Sequence, residues 1–183
     1  MLELTKNQIE KLFDVGNPIT LNEVLNARER RVSQQESLVL DHRSQTILVV
    51  KSNIPGPIKN NQYLMKIGLW GQKLVSKTFN TSAVLINDDN CGYEAFYVID
   101  IPALEVKEKM MLIEDSYPLG RLLDGDVFYF FENGVQTISR LDARQCFICN
   151  RDSKSCGSQR THSVSQLQEK VKELCLLQLK EEK

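Results

Sequence analysis

The chain is short of most features that mark a specialised class of protein. Its 24 Asp+Glu stand against 23 Lys+Arg, so there is no general attraction to nucleic acid or to an anionic membrane, and any anion binding must come from a local patch. No apolar run approaches the ~20 residues of a membrane span, and Met1-Leu-Glu-Leu-Thr-Lys lacks the basic-then-apolar order of a signal peptide. Five cysteines are too few for a disulfide scaffold of this length, and their odd number leaves at least one unpaired. There is no internal repeat, no low-complexity linker, and no Walker loop, Rossmann fingerprint or Gly-x-Ser-x-Gly elbow. These absences predict a soluble cytoplasmic protein with reduced thiols. What remains is globular: 42% hydrophobic and 26% charged residues are ordinary shares, and the length suits one domain over residues 1–183.

Local signals predict an α+β fold, a small mixed sheet with helices packed on it. Thr5 to Gln8, Thr20 to Glu23 and Ser163 to Gln166 are capping boxes, in which a hydroxyl oxygen and a side chain three residues on satisfy free donors at a helix start. The helix from Thr20 runs through Arg28, Glu29, Arg30 and Arg31 toward Leu38. Thr46-Ile-Leu-Val-Val reads as a strand ended by Pro55 and Pro57. Asn61 to Phe79 has helical spacing, with Gly68 and Gly71 where a neighbour packs tightly. Ala83-Val-Leu-Ile and Ala95-Phe-Tyr-Val-Ile form a hairpin, Leu104 to Ile113 a helix after Pro102, and Leu122 to Phe131 a strand turning at Asn133-Gly134.

Four groups of residues carry chemistry. On a strand, Asp124 and Asp126 project from one face, and two parallel carboxylates repel unless a cation lies between them. Oxygen ligands at this spacing suit Mg²⁺ completed by substrate phosphates, with Gly120 permitting close backbone approach and Arg121 offering a planar donor fork. The competing reading is a surface turn. Asn53-Ile-Pro-Gly-Pro-Ile-Lys59 is a rigid loop with an amide at one end and an ammonium at the other; Lys59 could clamp a phosphate, or the loop could be a plain turn. Arg28 and Arg31 are three apart and share a helix face, which is either a phosphate-binding patch or a solvated one. Cys146-x₂-Cys149-x₆-Cys156-x₅-His162 matches a Cys₃His structural Zn²⁺ site, against the alternative of separately buried thiols.

Taken in order, these segments resemble the citrate lyase holo-acyl-carrier-protein synthases, the apo-citrate lyase phosphoribosyl-dephospho-coenzyme A transferases, over about residues 20–175. The motifs are Asn53-Ile-Pro-Gly-Pro-Ile-Lys59, Pro118-Leu-Gly-Arg-Leu-Leu-Asp-Gly-Asp-Val127, Ile138-Ser-Arg140 and Arg144-Gln-Cys-Phe-Ile-Cys149, with Cys156 and His162 following in place. Arg28, Arg31 and Gln35, and Gly92 with Glu94, agree more weakly. The resemblance implies a nucleotidyltransferase-like enzyme. It moves the prosthetic group of triphosphoribosyl-dephospho-coenzyme A to a serine of the apo acyl carrier subunit of citrate lyase and releases pyrophosphate. Asp124 and Asp126 would hold Mg²⁺, while Gly120, Arg121, Lys59, Asn53, Arg28 and Arg31 would meet phosphates. By analogy with nucleotidyltransferases, Glu114 or Asp142 would be a third carboxylate, since a serine hydroxyl does not ionise unaided. Neither nucleic acid nor a membrane is an expected partner. The chain departs from the family pattern at Gln34 (Arg in the family), Tyr93 (Pro), Gly125 (Ile) and around Ser158 (Arg). Altered arginines leave open a catalytically silent module or chaperone that binds the carrier subunit.

Overall fold

The structure is a computed structural model that describes residues 1–140 and 142–182. The helices are α1 (Lys6–Glu10), α2 (Leu21–Asp41), α3 (Leu64–Phe79), α4 (Ala103–Ser116), α5 (Ser153–Ser158) and α6 (Val164–Glu181). The strands are β1 (Thr46–Ser52), β2 (Leu85–Asp89), β3 (Gly92–Ile99), β4 (Leu123–Phe131) and β5 (Gly134–Ile138), and a 3₁₀ turn covers Leu119–Leu122. All three capping boxes form, with the Thr5, Thr20 and Ser163 hydroxyls each accepting the amide three residues on.

Among the described residues the strands make one sheet in the order β2-β3-β1-β4-β5, and every neighbouring pair is antiparallel. The class is α+β as expected, but the sheet is not mixed. The reason lies in β1. Strands β3 and β4, joined through α4, both run antiparallel to β1 and so are parallel to each other, yet β1 is inserted between them. The crossover therefore yields no adjacent parallel pair. Both expected hairpins are present, although in the second the left-handed residue is Glu132 (φ 53°) and Gly134 is already paired with Phe131.

Alternation along the strands divides the apolar residues between two layers. Leu48, Val50, Ala95, Tyr97, Leu123 and Val127 face the main core with Ile67, Met110 and Val171 from α3, α4 and α6. Ile47, Val49 and Phe96 face the other way, onto Val39 of α2, with Phe128 and Phe130 alongside. Each such fully buried side chain contributes roughly 1.5–3 kcal/mol. Helix α3 comes close to the sheet where expected: a Cβ on Gly68 would lie 2.4 Å from Tyr93, and one on Gly71 would lie 2.6 Å from Leu123. Tyr93, one of the departures, is thus seated against Gly68, with its hydroxyl bonded to Gln72.

Candidate active site and metal centre

The sheet face beneath α2 is apolar at one end and charged at the other. Residues Lys51, Asp124 and Asp126 continue the alternation of Ile47, Val49 and Phe128, so they share that face. The register sets Glu94 opposite Lys51 on one side and Asp124 opposite Lys51 on the other, producing a carboxylate–ammonium–carboxylate row across β3, β1 and β4. The Lys51 Nζ lies 3.0 Å from Asp124 Oδ2 and 2.8 Å from Asp126 Oδ2. It supplies the cation that two parallel carboxylates require. Burial opposes the Lys51 charge, but attraction to Asp126 and Asp124 outweighs it and raises the ammonium pKa. Burial likewise works against the Asp124 carboxylate, yet Lys51 and Arg144 overcome it and hold its pKa below the usual range. Arg144 Nη1 stands 3.7 Å from Asp124 Oδ1.

Helix α2 covers the row through the stripe Ala27, Arg31, Gln35 and Val39. Arg31 pairs with Glu94 at 3.2 Å. A cavity of about 120 Å³ next to the row is lined by Arg31, Lys51 and Lys59, three cations drawn from α2, β1 and the Pro-Gly-Pro loop. The Lys59 ammonium donates to the Ile54 carbonyl at 2.6 Å, closing its own loop, and burial lowers its pKa. Arg28 does not join them. It is exposed in a shallow groove with Leu25 and Val32, because the stripe that meets the sheet advances by fours from Ala27 and leaves Arg28 off it. Gln34, another departure, exchanges amide hydrogen bonds with Asn87 of β2.

On the other side of β4 lies a different device. Strand β5 pairs with β4 only from Val127 to Phe131, and three side chains take over the free edge beyond. Arg144 donates to the Leu123 carbonyl at 2.7 Å, Lys107 to the Gly125 carbonyl at 2.8 Å, and Glu114 Oε1 accepts the Gly125 amide at 2.9 Å. Glu114 is 1% exposed, with Arg140 and Arg144 at 3.4 and 3.5 Å from its second oxygen. Burial pushes its carboxyl pKa up against the pull of Arg144, the Gly125 amide, Lys107 and Arg140. Glu114 therefore fixes the backbone between the two aspartates from the edge of the strand. Asp142 is exposed in the loop that follows. The carboxylate that shares the face of Asp124 and Asp126 is Glu94.

Two glycines owe their places to α4. A Cβ on Gly120 would lie 2.1 Å from the Ile113 carbonyl, so the close approach it permits is to the end of that helix. A Cβ on Gly125 would lie 2.3 Å from Met110 Cγ; the Met110 side chain occupies the space that an Ile at 125 would need. Arg121 donates to the Gln145 carbonyl and lies 3.9 Å from Asp115, tying the 3₁₀ turn to the cysteine-rich segment.

That segment gathers Cys146, Cys149, Cys156 and His162 with their ligand atoms within 4.8 Å of one another. The five cysteines are free. The turn is a knuckle: Ile148 N–H points at Cys146 Sγ (3.5 Å), and Gln145 bridges to Asp152. The Arg151 side chain draws the Cys149 thiol down to about 5, helped by the Arg151 amide and His162, which favours the thiolate form a metal needs. His162 Nε2 is buried without a hydrogen-bond partner among the described residues. These four groups are able to hold a metal ion.

Fold and sites together define an α+β protein with a charged pocket at one sheet end and, beside it, a segment able to hold a metal ion. The chain belongs to the apo-citrate lyase phosphoribosyl-dephospho-CoA transferase family, which it matches over residues 19–177. It is 34% identical over 172 residues to a probable apo-citrate lyase phosphoribosyl-dephospho-CoA transferase of Streptococcus pyogenes, covering 87% of this chain and 86% of that one. A protein of the same name from Vibrio cholerae is 36% identical over 166 residues, with 85% and 91% covered. A longer Haemophilus influenzae protein, "Protein CitXG", is 32% identical over 165 residues, 87% of this chain and 35% of its own length.

Lys51 escaped the reading of the sequence, and Glu94 entered it only as weak family agreement. The signal for Lys51 was its place two residues after Val49 on an apolar strand, which assigns its face but not its neighbours. No local signal identifies Arg144 as the second cation beside Asp124.

Proposed function

We propose that this protein transfers the phosphoribosyl-dephospho-coenzyme A group of triphosphoribosyl-dephospho-coenzyme A to a serine of the apo acyl carrier subunit of citrate lyase. Family membership supports the reaction, and the observation that carries the site is the row Glu94–Lys51–Asp124 with Asp126 beside it. The serine oxygen forms a bond to the α-phosphorus, its proton passes to a carboxylate of this face, and the bond to the β-phosphate breaks to release pyrophosphate. Arg31, Lys51 and Lys59 surround a space suited to the phosphate oxygens. Arg144 and Lys51 keep Asp124 ionised, and Glu114 holds Gly125 so that both aspartates project together.

Asp124 and Asp126 offer only oxygen ligands and are partly exposed, so they would hold a hard cation such as Mg²⁺ where it replaced the Lys51 ammonium that now bridges them. When bound, such an ion neutralises charge that develops on the phosphoryl oxygens. For the second centre the assignment is structural Zn²⁺ held by Cys146, Cys149, Cys156 and His162. Zn–S bonds of about 2.3 Å in a tetrahedron put sulfurs roughly 3.8 Å apart, and Cys149 Sγ and Cys156 Sγ are 3.7 Å apart. Four protein ligands close the shell, and the orphaned His162 nitrogen gains a partner. No helix among the described residues is long and apolar enough to cross a membrane; a cytoplasmic location fits a substrate made from coenzyme A.

Intact-mass spectrometry of apo carrier subunit incubated with the protein, Mg²⁺ and the donor tests the reading. We expect a mass gain equal to the prosthetic group. The Asp124→Asn and Asp126→Asn variants should slow transfer by about a hundredfold or more while thermal unfolding stays near that of the parent. Carrier binding without any mass gain would instead make this a silent carrier-binding module.

A further inference from the structure

A cavity of about 640 Å³ opens beside the charged sheet end. Cys146, Cys156 and His162 border it, but its volume far exceeds what an ion among them would fill. It adjoins the reaction site by two routes. Asn53 on one wall lies two residues past Lys51 and donates its backbone N–H to the Leu122 carbonyl at 2.7 Å. Cys146 on the other lies two residues past Arg144, the guanidinium beside Asp124. A substrate with phosphates at Asp124 thus finds in this hollow room for the rest of its length.

The lining is amphipathic. Pro55, Phe147, Val164 and Leu167 supply apolar surface, and exposed Lys154 and Arg160 supply positive charge. Neither cation has an ion-pair partner within 4 Å among the described residues. The wall from the Pro-Gly-Pro loop depends on Gly56, whose φ of +94° suits glycine and whose Cβ would meet Val164 of α6 at 2.9 Å. A ligand matched to such a space has an uncharged, amide-rich or aromatic portion attached to a diphosphate.

We propose that this cavity binds the dephospho-coenzyme A portion of the donor, its pantetheine arm against Pro55, Phe147, Val164 and Leu167 and its diphosphate toward Lys154 and Arg160. This rests on the transferase reading and extends it, for it makes the Cys₃His segment a wall of the substrate site. The segment's metal would then hold binding residues in place without touching the reacting atoms.

The test is calorimetric binding of 3′-dephospho-coenzyme A to the full chain, its Gly157→Trp variant and the Lys154→Ala/Arg160→Ala double variant. Gly157 lines the cavity, and a Cβ there has nothing within 4 Å, so the indole enters empty space. We expect saturable binding by the parent and at least about tenfold weaker binding by each variant. In the transfer assay, each should raise the KM for donor by more than it lowers kcat. The double variant changes exposed side chains only and serves if Gly157→Trp fails to fold. Unchanged affinity in folded variants, with transfer by the parent intact, overturns the cavity assignment and leaves the transferase standing. Weaker carrier binding with unchanged coenzyme affinity would overturn it in favour of a carrier-docking site. If the parent binds 3′-dephospho-coenzyme A and the variants do not, but no transfer occurs, the cavity assignment holds and the reaction assignment fails.

Discussion

The sheet-end site and the cysteine-rich segment are held together by different means. Lys51, Asp124 and Glu94 are neighbours because three strands pair in a fixed register, above a core that includes Leu48, Val50 and Val127. Between residues 142 and 162 the described backbone has one isolated bridge and the six-residue α5, and its buried side chains include Cys146 and Cys156. The ladder positions the first site whether or not a ligand is bound, whereas the second has little regular structure of its own to hold its four ligand atoms together. A metal held by those four groups would be structural, because the core there is thin.

The largest effect that would sharpen this contrast comes from the buried edge device. Glu114→Ala strands the Gly125 amide and leaves Arg140 and Arg144 without their shared carboxylate, so urea unfolding should show a loss of about 3 kcal/mol. A loss near zero would mean that the ladder alone holds the aspartates. Next is Gly125→Ile, which restores the family residue against Met110 and should cost about 1–3 kcal/mol. Adding Met110→Ala should recover part of that loss; no recovery would mean that the contact with Met110 is not what excludes the larger side chain.

Metal removal follows. Elemental analysis should find about one zinc per chain. Chelation should open the 142–162 segment to protease while moving the unfolding midpoint of the rest by only a few degrees; cooperative collapse of the whole chain would erase the distinction between the two regions. The smallest effect is on acid stability. Asp124 has a folded pKa below its unfolded value of about 3.9, so its contribution is present above that value and is lost as pH falls through the folded pKa. Asp124→Asn should make the acid limb of the stability curve shallower; an unchanged limb would show that Lys51 and Arg144 do not favour its charged form.

Features legible in the sequence are those whose partners lie within a few residues. Thr5, Thr20 and Ser163 announce helix starts because hydroxyl, amide and answering side chain are three apart. Asp124 and Asp126 could be put on one face by strand alternation, and Cys146 and Cys149 paired by spacing. What stayed hidden is non-local. Lys51 becomes the counter-charge to both aspartates only once β1 is known to lie between β3 and β4, the same insertion that removes parallel pairing. Arg28 and Arg31 are neighbours on a helix, but the line along which α2 meets the sheet passes through only one of them. Gly125 stands in the sequence only as a departure from the family's Ile, and its reason, the Met110 side chain opposite, comes from another element.

The short reach of β5 has one more consequence. With Arg144, Lys107 and Glu114 occupying the polar groups of Leu123 and Gly125, this stretch of β4 has no vacant rung on which an incoming polypeptide could lay itself down as a sixth strand. Strand addition along this stretch is thus closed to a protein acceptor, which has to present its residue to the aspartates in some other way than as a paired strand.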